Sequence, residues 1–171
     1  MKRAVVLVVV SLFNMLYAVE NSSAMKMIKD DLLPEVKKYA MPSNCVTTNR
    51  EAIERGKYLY HNADGKSAKS KPPRGLSRKY ANGKTKLYGN CIACHNIEGA
   101  IGGGSVGPDL TSYKEYFVDT GVRNAQFVFQ KIADARVDDP NSFMTINLTS
   151  KMFNEREICD ITSYLLATKK K

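Results

Sequence analysis

The sequence predicts an all-α fold. Apolar residues recur at helical spacing in three separate stretches, each stretch opens on residues that cap helices, and strand-like alternation is nearly absent. The composition agrees with one packed domain. Of 171 residues, 43% are hydrophobic and 25% charged, which is too apolar for wholesale disorder. Beyond the first twenty residues no apolar run approaches the roughly 20 needed to span a bilayer, which excludes an integral membrane bundle. Lys and Arg total 26 against 17 Asp and Glu, a formal charge of +9, so part of the surface is basic.

Taken in order, Lys2 and Arg3 precede an apolar stretch from Ala4 to Phe13, and small residues follow at Ala18 and Ser22-Ser23-Ala24. That is the pattern of a secretory signal peptide spanning residues 1–24, cut after Ala18 or Ala24, with an uncleaved anchor as the alternative. The rest of the chain is then exported, and a periplasmic location is expected, with no stable membrane insertion after cleavage. Residues 25–47 read as a peripheral N-terminal extension. Ile28, Leu32 and Leu33 suit a turn or two of helix before Pro34, and Met41-Pro42-Ser43-Asn44 ends it. The domain proper is expected over 48–171. Its first helix opens on Thr48 with Glu51 as a capping box and carries Ala52, Ile53, Gly56, Leu59 and Tyr60 on one face.

From 61 to 90 the composition shifts to eight Lys or Arg against the single acid Asp64. Such an insert reads either as a solvated loop or as a docking surface for an anionic partner. A nucleic-acid role is not expected for an exported chain whose insert holds few aromatics, Tyr80 and Tyr88. Residues 99–108 are Gly-rich and irregular, a loop that lets backbone approach something closely. A second helix is predicted from Asn124 to about Arg136, with Phe127, Val128, Ile132 and Ala135 inward. A third is predicted from Asn154, paired with Glu157, through Ile158, Ile161, Tyr164 and Leu165 to the Lys169-Lys170-Lys171 tail.

The chemistry lies in Gly89-Asn90-Cys91-Ile92-Ala93-Cys94-His95. Two thiols three positions apart can add to the two vinyl groups along one haem edge, and the adjacent histidine then presents a ring nitrogen to the iron. Cys91, Cys94 and His95 are therefore the candidate sites for one covalent haem c. Structural zinc is weaker, since the chain has no second Cys-x-x-Cys and only one other histidine, His61. A redox dithiol is weaker still, lacking a βαβ context. No acid–base pair stands beside the motif in the sequence, so no catalytic residue is assigned.

With this motif, Gly56 and Tyr60, Gly107-Pro108-Asp109-Leu110, a later Met and the Tyr164-Leu165 helix, residues 49–168 resemble the class I cytochromes c. The resemblance implies that fold around one haem. It also implies that the Pro108 carbonyl accepts a hydrogen bond from His95 and that Met144, in Asp139-Pro140-Asn141-Ser142-Phe143-Met144, is the second iron ligand. Thr145 stands where that family commonly has Pro, which keeps Met152 as the reserve and His61 as a lesser option. Because the family's terminal helices cross, Cys45 and Cys159 would come within reach of a disulfide. An unpaired Cys159, or a bridge from Cys45 to a partner, remains the alternative.

A narrower likeness is to the monohaem X subunits of SoxAX complexes, thiosulfate-oxidising c-type cytochromes. It rests on Gly89 to His95, Gly104 to Leu110, Asp134 to Met144, and Glu157 to Leu165. It implies a haem-containing A subunit as partner, an acceptor cytochrome c, and a role in electron removal. A free electron shuttle, and a haem enzyme or sensor with an open sixth site, are the other expectations.

Overall fold

The computed structural model describes residues 34–167. The signal-peptide stretch, the Ile28 to Leu33 turn and the Lys169 to Lys171 tail lie outside the described residues. Contacts divide the chain after Glu35, and the unit from Val36 onward holds every helix of the described residues.

Three α-helices carry the architecture: α1 Arg50–His61, α2 Ala125–Ala133 and α3 Glu155–Ala167. Single 3-10 turns run over Cys91–Ala93 and Ala135–Val137, and a short π-helix, unforeseen in the sequence, over Lys114–Val118. Among the described residues there is no strand, only two isolated bridges, Asp64 to Leu87 and Lys79 to Thr85.

α1 begins one residue later than the capping box suggests. Asn49, not Thr48, is the N-cap, its Oδ1 accepting from Ala52 N at 3.2 Å, while the neighbouring Thr47 Oγ1 accepts from Asn49 N. α3 opens on the expected box, with Asn154 N donating to Glu157 Oε2 and Glu157 N to Asn154 Oδ1 at 3.1 and 3.0 Å. α1 and α3 cross with backbones in contact at Gly56, where a Cβ would stand 1.9 Å from the Asp160 carbonyl oxygen. Only glycine permits that approach. Beside the crossing, Arg55 clamps Asp160 with two bonds of 2.7 and 2.9 Å. Leu59, Tyr60, Ile158, Ile161 and, from α2, Phe129 fill the core and are at most 1% exposed.

α2 ends at Ala133, three residues short of the predicted boundary, because Asp134 leaves helical geometry. Its carboxylate draws in the Arg136 backbone N–H and guanidinium instead, with bonds of 2.7 to 3.2 Å. Asp134 is fully buried. Burial alone would raise its pKa, but the bonds from Arg136 and Thr149 overcome this and hold it below the usual carboxylate range.

The segment read as a peripheral extension up to residue 47 belongs in its last part to the packed unit. Gln126 and Gln130 of α2 bond the backbone at Tyr39 and Met41, Ser163 bonds the Cys45 carbonyl, and Cys45 is joined to Cys159 by a disulfide. The bond closes a loop of 114 residues, and the chain-entropy model gives such a closure about 4 to 5 kcal/mol.

The basic insert is a built lobe rather than a free loop. Arg78 turns inward and donates to the carbonyls of Gly65, Ala68 and Ser70, and Lys86, 8% exposed, pairs with Glu157 of α3 at 2.9 Å. Tyr58 and Tyr88 stack edge to face and bond the Ser70 and Ser77 carbonyls.

Candidate functional site

The lobe returns to α1 and passes straight into the cysteine motif. Gly89 N donates to Leu59 O at 2.9 Å and Asn90 N to Asn62 O at 3.0 Å, so the motif starts against the last turn of α1. Asn90 takes a left-handed conformation, which turns the chain into the 3-10 turn that places Cys91 and Cys94 on consecutive bends. Cys91 is half-buried against the core and Cys94 is exposed.

His95 is 8% exposed and is fixed by the Gly-rich loop after it. Its Nδ1 lies 2.8 Å from the Pro108 carbonyl oxygen. The tautomer that donates there leaves Nε2 with a free lone pair for a metal. The loop returns under the histidine by main-chain bonds, Gly104 N to Ile92 O, Gly107 N to Cys94 O and Leu110 N to Asn96 O, at 2.8 to 2.9 Å, and by Asn96 Nδ2 donating to Asp109 Oδ2 at 2.8 Å. A Cβ at Gly107 would stand 2.2 Å from His95 Cε1, so the loop closes against the ring only with glycine there. The close approach expected of this loop is therefore to the histidine.

The donor set discriminates among metals. Among the described residues no group of three or more His, Cys, Asp or Glu is arranged to hold an ion, as structural zinc requires. Burial pushes the Cys91 thiol up to about 12, so it is not the ready thiolate of a redox dithiol. An iron already held by a porphyrin asks the protein only for axial ligands and, in the covalent case, two thiols. The residues present fit that group.

A model of the cytochrome c family matches residues 80–169, just over half of the chain. The chain belongs to the cytochrome c family. Members carry covalent haem c, usually one per domain, and the chain is a c-type cytochrome of electron transfer. In this cytochrome Cys91 and Cys94 would hold the haem and His95 its iron, and the group's chemistry is a one-electron change at that iron. The matched stretch opens inside the basic lobe, so α1 lies outside it, joined to the matched part by the Gly56 crossing. No curated protein matches the chain.

The other candidate ligands sit further from the motif in sequence. His61 Nε2 lies 2.8 Å from the Tyr164 hydroxyl, and the imidazole is engaged there at the end of α1. Met152 packs against the core beside Phe153, whereas Met144 is half-buried and takes no part in that packing. Thr145, in the family's proline position, donates to Asn147 Oδ1 at 2.9 Å, and buried Asn147 donates to Ile132 O at 2.7 Å. A hydrogen-bond chain thus ties down the Met144 loop where a proline ring is missing. Sequence reasoning missed that chain and the Asp134 to Arg136 pair. The Asp-x-Arg spacing directly after an amphipathic helix was the available signal for the latter.

Proposed function

We propose that this cytochrome is the electron-accepting monohaem subunit of a periplasmic SoxAX-type complex, with haem c on Cys91, Cys94 and His95 and with Met144 as the second iron ligand. The observation that carries the reading is the lobe between α1 and the motif. Six cations, Lys66, Lys69, Lys71, Arg74, Lys79 and Lys84, are exposed on it, and none forms an ion pair among the described residues. The lobe is held together by its own hydrogen bonds, its feet stand beside Cys91, and its charge suits an acidic partner surface next to the haem. The loops on either side add apolar contact area. Ile101 is 96% exposed, Val106 75% and Phe143 94%, and such side chains together favour a standing interface over a brief encounter.

The likeness of four sequence strings to those of SoxAX X subunits supports a chemistry for the complex. Joining thiosulfate to a carrier-protein cysteine forms an S–S bond and releases one proton and two electrons. The bond is made on the A subunit. This chain's part is to take the electrons one at a time and pass them to an acceptor cytochrome c. Met144 suits that part, because a thioether favours reduced iron and its occupancy closes the iron to other ligands.

The test is to purify the tagged chain from periplasm and stain companions for haem. A second haem protein should co-purify, and the pair should be reduced by thiosulfate when the carrier is present. A chain that elutes alone as a monomer, with no haem-bearing companion, overturns the proposal in favour of a free shuttle. Dissociation that does not depend on ionic strength would exclude steering by the lobe.

A further inference from the structure

Tyr60 ends the buried face of α1 and is 1% exposed, yet its hydroxyl has no hydrogen-bond partner. Its aromatic neighbours leave it none. The Tyr60 ring meets Tyr164 edge to face at 5.6 Å and His61 at 5.2 Å, and the polar ends of those two are bonded to each other. A buried hydroxyl without an acceptor is costly, and phenylalanine would fill the same space without it.

The neighbourhood says what the hydroxyl serves. Gly89 is bonded to Leu59 O, and a Cβ on it would lie 2.8 Å from Cys91 Sγ, so that sulfur sits against the last turn of α1. Tyr60 and Cys91 belong to one packed cluster. Burial, with charges on Cys91, Tyr164 and Asp109 adding to it, keeps the phenol neutral and therefore a donor.

We infer that Tyr60 is a positioning residue whose hydroxyl donates to the haem edge carried by Cys91. Cys91 Sγ is itself no partner of the hydroxyl, so the acceptor that edge offers is the ring face beside the sulfur. The positive end of the O–H dipole then favours the electron-rich reduced state and raises the midpoint potential.

The experiment compares haem-loaded Tyr60→Phe with haem-loaded Tyr58→Phe. Tyr58 lies on the same helix, and its hydroxyl bonds the Ser70 carbonyl in the lobe. The expected result is a lower midpoint potential and a lower melting temperature for Tyr60→Phe, against a lower melting temperature alone for Tyr58→Phe. A midpoint that is unchanged or raised in Tyr60→Phe, or a melting temperature that does not fall, overturns the inference. If Tyr60→Phe fails to accumulate, the unaltered holoprotein decides. Resonance Raman bands of the thioether edge should shift on transfer to D2O, and unshifted bands contradict the donation.

Discussion

Two irregular loops flank the chemistry of this cytochrome, residues 96–110 after His95 and residues 134–153 around Met144, and they are held by different means. The first is fixed by main-chain hydrogen bonds, by one side-chain bond from Asn96 to Asp109, and by glycine backbone pressed on the imidazole. The second adds to its main-chain turns a set of side-chain anchors: the Asp134 to Arg136 pair at its start, Thr145 on Asn147 in its middle, and Asn147 on the end of α2. The histidine side therefore tolerates little added volume. The methionine side depends on its buried polar groups, Asp134, Arg136 and Asn147. An iron held by His95 and, as proposed, by Met144 would then be gripped firmly on the first side and more adjustably on the second.

The largest expected effect tests the second loop. Asp134→Asn removes the charged partner that bonds the Arg136 guanidinium and backbone N–H, and removing one partner of a buried pair costs about 3 to 5 kcal/mol. Urea unfolding should report that loss, and a cost under about 1 kcal/mol would show that the pair does not anchor the loop. Next comes the first loop. Gly107→Ala drives a Cβ into the His95 ring, at a cost of about 1 to 3 kcal/mol. The yield of haem-loaded chain, read by haem staining, should fall, whereas Ile101→Ala, in the same loop but 96% exposed, should leave the yield nearly unchanged.

Met144→Ala is expected to cost about 2 kcal/mol or less, since the side chain is only half-buried. It should remove the far-red methionine–iron charge-transfer band of the ferric protein and let the reduced protein bind carbon monoxide. Met152→Ala should keep the band, and the reverse pattern would move the ligand to Met152.

The smallest effect is in pH. Burial, then the nearby Lys57 charge, lowers the His61 pKa below its ordinary 6.5. The folded state therefore binds fewer protons than the unfolded chain below about pH 6.5. The resulting stability is complete above that value and declines as pH falls toward the depressed folded pKa. For this half-buried group the loss should stay under about 1 kcal/mol. His61→Gln should remove that part of the slope, and an unchanged slope would assign it to other groups.

The same contrast governs what the sequence discloses. Cys91, Cys94 and His95 are legible because one local string carries all three, and Asn154 with Glu157 is legible because a capping box is local. The Asn49 cap is a one-residue ambiguity that only the backbone turn resolves. Arg78 and Lys86 look like surface charge, yet they are internal fasteners whose partners lie at carbonyls and on α3, up to 71 residues away in the case of Glu157. The joining of Cys45 to Cys159 depends on the helix crossing, which no local pattern states. The end of α2 is hidden because helical spacing continues through Ala135, while one carboxylate takes the backbone N–H that the next turn would have used.

The most direct test is the intact mass of the chain made in a host that matures c-type cytochromes, together with alkylation under denaturing, non-reducing conditions. The expected result is a red protein heavier by one haem, with Cys91 and Cys94 refractory to alkylation and Cys45 and Cys159 blocked as a disulfide. A colourless protein of unmodified mass, with Cys91 and Cys94 both alkylated, would contradict covalent haem on this motif.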